Sequence, residues 1–172
     1  MIYTYKITRA NEWKNFKSIM ITLFAAIFLA PVFLYFRSSP EVNVADYWLI
    51  IPIVILLFLI PQFAIHMRYY SINEGMEMVY DDKEKSISIK DTKKDTESKF
   101  SLDDIKYVFH TMSAPFAEKR MEWFPWDSYN YSELFLKDGR KFTITSLMVN
   151  RLELPVGKKY VLITSLYPYP RS

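Results

Sequence analysis

"YWLIIPIVILLFLIPQFAIHM", Tyr47–Met67, is a run of 21 residues with no formal charge. Coiled as a helix it would be about 31 Å long, enough to cross the hydrocarbon core of a bilayer. A surface helix of a soluble domain keeps a polar stripe. Here only Gln62 and, late in the run, His66 interrupt the apolar residues. Pro52 and Pro61 lie inside it. In water a proline within a helix costs roughly 3 kcal/mol. In a membrane, neighbouring helices and side chains satisfy the carbonyls that proline frees. The stretch is therefore expected to span a membrane, with a bend below Pro61.

A second uncharged run, "IMITLFAAIFLAPVFLYF", occupies Ile19–Phe36. A signal peptide would need a short basic leader and a small-residue cleavage site. Here the preceding 18 residues include the strand-like "IYTYKIT", and no A-x-A site stands before Arg37. Two spans, 19–36 and 47–67, are expected, joined by a turn over "SSPEVN" with Pro40 and Asn43. Lys6, Arg9, Lys14 and Lys17 precede the first span, Arg37 alone lies in the connecting loop, and Arg68 follows the second. The excess of cations at the outer ends predicts that both termini are cytoplasmic, in a multi-pass protein of the cell inner membrane. Tyr35, Tyr47, Trp48, Tyr69 and Tyr70 are placed where an aromatic belt would lie.

The remaining 105 residues, from Arg68 onward, suffice for one small domain. They hold 17 Lys and Arg against 16 Asp and Glu, a balance that does not support nucleic-acid binding. The absence of cysteine excludes disulfides and thiolate chemistry. From Gly75 the hydrophobic period shortens to two. "EMVYDD", "KSISIKD", "SKFSL" and "DDIKYVFHTM" alternate as half-buried strands, with turns at "DDKE" and "TKKDTE". Ile105, Tyr107 and Phe109 are expected on one face. In "YSELFLKDGRKFTIT", Leu134 and Leu136 are followed by an Asp138-Gly139 turn and by Phe142 and Ile144 on the return strand. At least six short antiparallel strands make a small barrel or sandwich.

The opening "IYTYKIT" strand, a short helix, two spans and a meander ending in "LFLKDGRKFTI" resemble the bacterial membrane-anchored PH-like proteins of the YcxB type. The resemblance implies an α+β membrane protein: a two-helix transmembrane hairpin plus a cytoplasmic, mostly antiparallel PH-like split β-barrel. Its parts would be an N-terminal strand and helix over 1–18, the hairpin over 19–67 and the β domain over 75–172. Such folds close one barrel end with a C-terminal helix. Here Pro155, Gly157, Pro168 and Pro170 leave only Lys158–Tyr167 for it, and "YVLITSLY" also suits a strand.

The paired carboxylates Asp81-Asp82 and Asp103-Asp104 fall at turns, where Asp bonds its own backbone. His66 is expected at the membrane interface and His110 in a strand, without converging ligands for a metal. Three glycines leave no phosphate loop, and no nucleophile motif is present. No catalytic, cofactor-binding or metal site is predicted, and no cofactor. The unusual segment is "APFAEKRMEWFPWDSYNY", Ala114–Tyr131. Phe116, Lys119, Arg120, Trp123, Phe124 and Trp126 are its interaction candidates, either as a partner or interface surface or as a plug folded into the barrel end. Lys14, Lys17 and Arg68 are candidates for contact with lipid headgroups. The function expected is non-catalytic: a membrane-anchored binding module for a protein or a lipid headgroup. The alternative is an immunity or accessory subunit that packs on another inner-membrane protein through its spans.

Overall fold

The computed structural model describes residues 1–24, 27, 28, 32, 36 and 50–171. Strand β1 (Ile2–Lys6) leads into helix α1 (Arg9–Phe24). The Thr8 hydroxyl accepts from the Asn11 backbone N–H at 3.3 Å, and Glu12 lies in the first turn. Both features suit a helix N-terminus. Helix α2 (Ile50–Asn73) runs without a break through Pro61 and six residues beyond the expected end of the second span. One helical stretch among the described residues, Ile55–Asn73, is long and apolar enough to cross a membrane. Eight of the eighteen residues of the first expected span, 19–36, and the whole turn after it lie outside the described residues.

Gly75 ends α2 with φ near +80°, and a Cβ there would meet the Thr92 hydroxyl at 2.9 Å. Only glycine suits such a left-handed stop against a neighbouring turn. Strands β2 (Met76–Asp81), β3 (Ser86–Asp91) and β4 (Thr96–Ser101) follow as a meander. Its two hairpins use one device. Asp81 and Asp91 each accept two backbone N–H groups of the turn that follows. Strand β1 pairs antiparallel with β2, from Ile2 opposite Asp81 to Lys6 opposite Glu77. The first sheet is thus β1-β2-β3-β4.

The second sheet, β7-β6-β5-β8, contains β5 (Ile105–Met112), β6 (Asn130–Leu136), β7 (Lys141–Thr145) and β8 (Tyr160–Thr164). A one-turn helix, α3 (Ala114–Ala117), opens the β5–β6 connection. The two four-stranded sheets form a sandwich, and among the described residues no strand pairs from one to the other. Met78, Ile87, Ile89, Phe100, Val108, Leu134 and Ile144 fill the space between them.

One expectation about the strands is corrected. A bulge between Ile105 and Tyr107 reverses the alternation of β5, so Ile105, Val108 and His110 face inward while Tyr107 is exposed. One extra residue is enough to turn the rest of a strand over. Of the two readings left open for Lys158–Tyr167 the strand is observed, as β8, and it pairs parallel with β5, whereas the other strand pairs among the described residues are antiparallel. Its β-branched residues suit that pleated setting.

Candidate functional site

A second core holds α2 to the outer face of the β7-β6-β5-β8 sheet. Ile65, Tyr69, Trp126, Tyr129, Tyr131 and Leu147 are buried together. Gln62 donates to the Pro125 carbonyl at 3.0 Å, and the Tyr69 hydroxyl donates to Pro168 at 2.7 Å. His66 Nδ1 and the Tyr129 hydroxyl are hydrogen bonded at 3.0 Å. Asn73 clasps β7: its amide donates to Thr143 and its carbonyl oxygen accepts from Thr145 N–H. Burial pushes the Tyr129 hydroxyl well above the usual tyrosine range. His66 and Tyr69, expected at a membrane interface, are buried against the β domain.

The interaction candidates divide. Trp126 is 9% exposed, stacks on Phe124 at 4.9 Å and donates its indole N–H to Leu166. It is a core residue, as the plug reading of the segment has it. Phe124 is half-buried between Trp126 and Phe58 of α2. Trp123 is 78% exposed, as is Met121 beside it. Lys119 and Arg120 are exposed, and Arg120 pairs with Glu118 at 2.6 Å. One connection is both plug and surface, according to which side of Phe124-Pro125 a residue stands.

Asp127 makes that division. It is buried, and one carboxylate oxygen accepts the backbone N–H groups of Trp123 and Phe124 at 2.8 Å each. Ser113 caps α3 through Phe116 N–H and also donates to the Asp127 carbonyl. The backbone around Trp123 is thereby held from both ends, and its ring is left outside.

What the loop faces is α1. A cleft of about 620 Å³ opens between them. Lys14, Lys17 and Ile21 line it from α1, and Phe116, Glu122 and Trp123 from the loop. Phe58 and Phe124 form its inner end. The structure thus brings Lys14 and Lys17 together with Phe116, Trp123 and Phe124. It leaves Lys119, Arg120 and Trp126 out of the lining. Arg68 lies elsewhere and donates to the Pro170 carbonyl at 3.4 Å. Glu122 and Asp127 were missed by sequence reasoning. Asp127 carried a turn signal, Pro125 two residues before it. Burial, with Asp127 next, holds the Glu122 carboxyl above the usual range, while Lys14 acts in the opposite direction.

His110 is the other chemically distinctive residue. It is fully buried, bonded through Nδ1 to the Ser132 hydroxyl at 2.5 Å and stacked on Tyr160. Burial, reinforced by Arg151, lowers its pKa to about 4, so it is a neutral packing residue near neutral pH. Among the described residues no group of His, Cys, Asp and Glu is arranged to hold a metal ion.

A family model described as PH domain matches residues 2–155, nearly the whole chain. The chain belongs to the PH-domain family. The match spans α1, α2 and strands β1 to β7 and ends before β8, so in this PH domain the helices stand inside the family unit rather than beside it. PH domains are generally non-enzymatic modules that bind lipid headgroups or proteins. No curated protein and no solved structure gives a significant match.

Proposed function

We propose that this PH-domain protein is membrane-anchored and of the bacterial YcxB-like type. A hairpin of two spans, 19–36 and 47–67, holds it in the cytoplasmic membrane, with both termini and the sandwich on the cytoplasmic side. It works without catalysis, docking a lipid headgroup or a protein on the surface between α1 and the β5–β6 loop.

The upper part of α2 carries the reading. Ile53, Leu56, Leu57 and Ile60 all lie on its exposed surface. Leaving such side chains in water forgoes about 1.5–3 kcal/mol each. Exposed Met20, Ile21 and Phe24 on α1 extend the same apolar surface. The cation asymmetry of the sequence supports the cytoplasmic placement.

The chain has no cysteine, so a single introduced one reports its own location. In intact cells, Ser39→Cys between the spans should react with a membrane-impermeant thiol reagent, and Lys83→Cys in the β2–β3 turn only after lysis. The reverse pattern would move the sandwich to the outside. Equal labelling of both in intact cells would remove the anchor.

A second reading is favoured by one feature. An apolar groove of about 410 Å³ runs between α1 and α2, lined by Phe16, Ile19, Leu59, Ile60, Phe63 and Ala64. A span of another membrane protein seated there would make the chain an accessory or immunity subunit. Copurification in mild detergent, lost on Ala64→Phe, would support it.

A further inference from the structure

We propose that the cleft between α1 and the β5–β6 loop holds the zwitterionic headgroup of a membrane phospholipid, its phosphate on Lys14 and Lys17 and its ammonium on Glu122 and Trp123. This rests on the membrane-anchored reading, because the ligand enters from the bilayer that α2 traverses.

The two walls carry opposite chemistry. Lys14 and Lys17 are three residues apart on α1 and so share a face. Both are exposed, and among the described residues neither is in an ion pair. Ammonium groups beside a phosphate make charge-assisted hydrogen bonds of the strong kind. The loop wall offers a carboxylate, Glu122, next to the open face of Trp123. An ammonium is attracted to both, and over an indole the attraction is greatest among the aromatic rings.

Lys14 influences the Glu122 carboxyl, yet no ion pair joins them among the described residues. The walls are near enough to act on one molecule and are not closed on each other. A ligand with a phosphate at one end and an ammonium at the other matches both walls. A polyanionic headgroup would gain at the lysines and meet Glu122 with the wrong sign. A neutral polyol would leave both walls unpaired.

The apolar residues fix the source of the ligand. Ile21, exposed on α1, gives the cleft an apolar exit beside its polar walls. Acyl chains attached to the headgroup would follow that path into hydrocarbon, and a free phosphoethanolamine would leave it empty. The volume, about 620 Å³, lies within the range that encloses small-molecule ligands.

The test uses the full chain purified in a maltoside detergent, with binding followed by native mass spectrometry. Phosphatidylethanolamine, phosphatidylglycerol, phosphatidic acid and water-soluble phosphoethanolamine are compared. Phosphatidylethanolamine should bind at least about tenfold tighter than either anionic lipid, and soluble phosphoethanolamine should not displace it at equal concentration. The double variant K14A/K17A should lose all phospholipid binding. Glu122→Gln should weaken phosphatidylethanolamine alone and abolish the ranking. If that variant does not fold, Trp123→Ala, which removes an exposed side chain, should show the same selective loss. Equal binding of the lipids, preference for an anionic one, or competition by soluble phosphoethanolamine would overturn the proposal. Alkaline extraction of membranes separates the two readings. A chain that is stripped off was never anchored, whereas one that stays and shows no lipid ranking refutes the headgroup site alone.

Discussion

From residue 50 to residue 60, α2 has no polar side chain, and its Ile53, Leu56, Leu57 and Ile60 are exposed. From Pro61 to Asn73 it carries Gln62, His66, Tyr69 and Asn73, and all four are buried. The more polar half is the more enclosed one. Each of those four groups meets a partner in the β domain. Buried polar groups are tolerated on that condition. In the apolar half, Phe58 packs on Phe124 and Trp126, while Ile53, Leu56, Leu57 and Ile60 stay exposed. Along this helix the four buried polar side chains mark where the β domain surrounds it.

The contrast breaks most sharply at one large side chain in each half of α2. Tyr69 is fully buried against Tyr129 and Tyr131. Tyr69→Ala should cost about 3–5 kcal/mol, as other large-to-small core changes do. In detergent that is a melting temperature lower by roughly 10 °C or more. Leu57→Ala, in the exposed half, should move it by less than about 2 °C. Equal losses would mean that the upper half also packs on protein.

Acid tests a buried polar group away from α2. His110 has a folded-state pKa of about 4, below the ordinary value of 6.5. Between these values the unfolded chain binds a proton that the folded one refuses. Its contribution is intact above about pH 6.5, falls as pH drops through that window and levels off below about pH 4, a loss of up to about 3 kcal/mol. Denaturant titrations should show the loss in the wild type and a shallower slope in His110→Gln. The smallest effect belongs to Gln62. Its amide donates to Pro125, while its carbonyl oxygen is buried with no hydrogen-bond partner among the described residues. Gln62→Leu removes a bond and an unpaired acceptor together, so unfolding should shift by no more than about 1 kcal/mol in either direction. A large loss would show that polar docking, more than shape, holds the lower half of α2.

The meander was legible in the sequence because its turns are local chemistry: Asp81 and Asp91 bind the backbone two and three residues on. The second core was not. Gln62 and His66 mark a change along α2 but not what lies around it, since a headgroup layer and a protein wall both accept such side chains. Tyr69 was accordingly placed with the membrane belt. The bulge at Ile105 and the parallel pairing of β8 depend on partners distant in the chain, and neither leaves a local mark. For the cleft, residue types pointed to Lys14, Lys17 and the aromatic loop separately. Their meeting depends on α2 being docked between them, through Phe58 and Gln62.

The pairing of β1 with β2 has a consequence that concerns parity. Two strands joined by backbone hydrogen bonds, Ile2 to Lys6 against Glu77 to Asp81, share one side of any barrier. The chain that connects them must therefore traverse a bilayer an even number of times. If α2 accounts for one passage, another must precede it, whatever the cations at either end favour. Removing a single passage would strand β1 and β2 in different compartments, so the sheet acts as a lock on the topology of everything threaded between its first two strands.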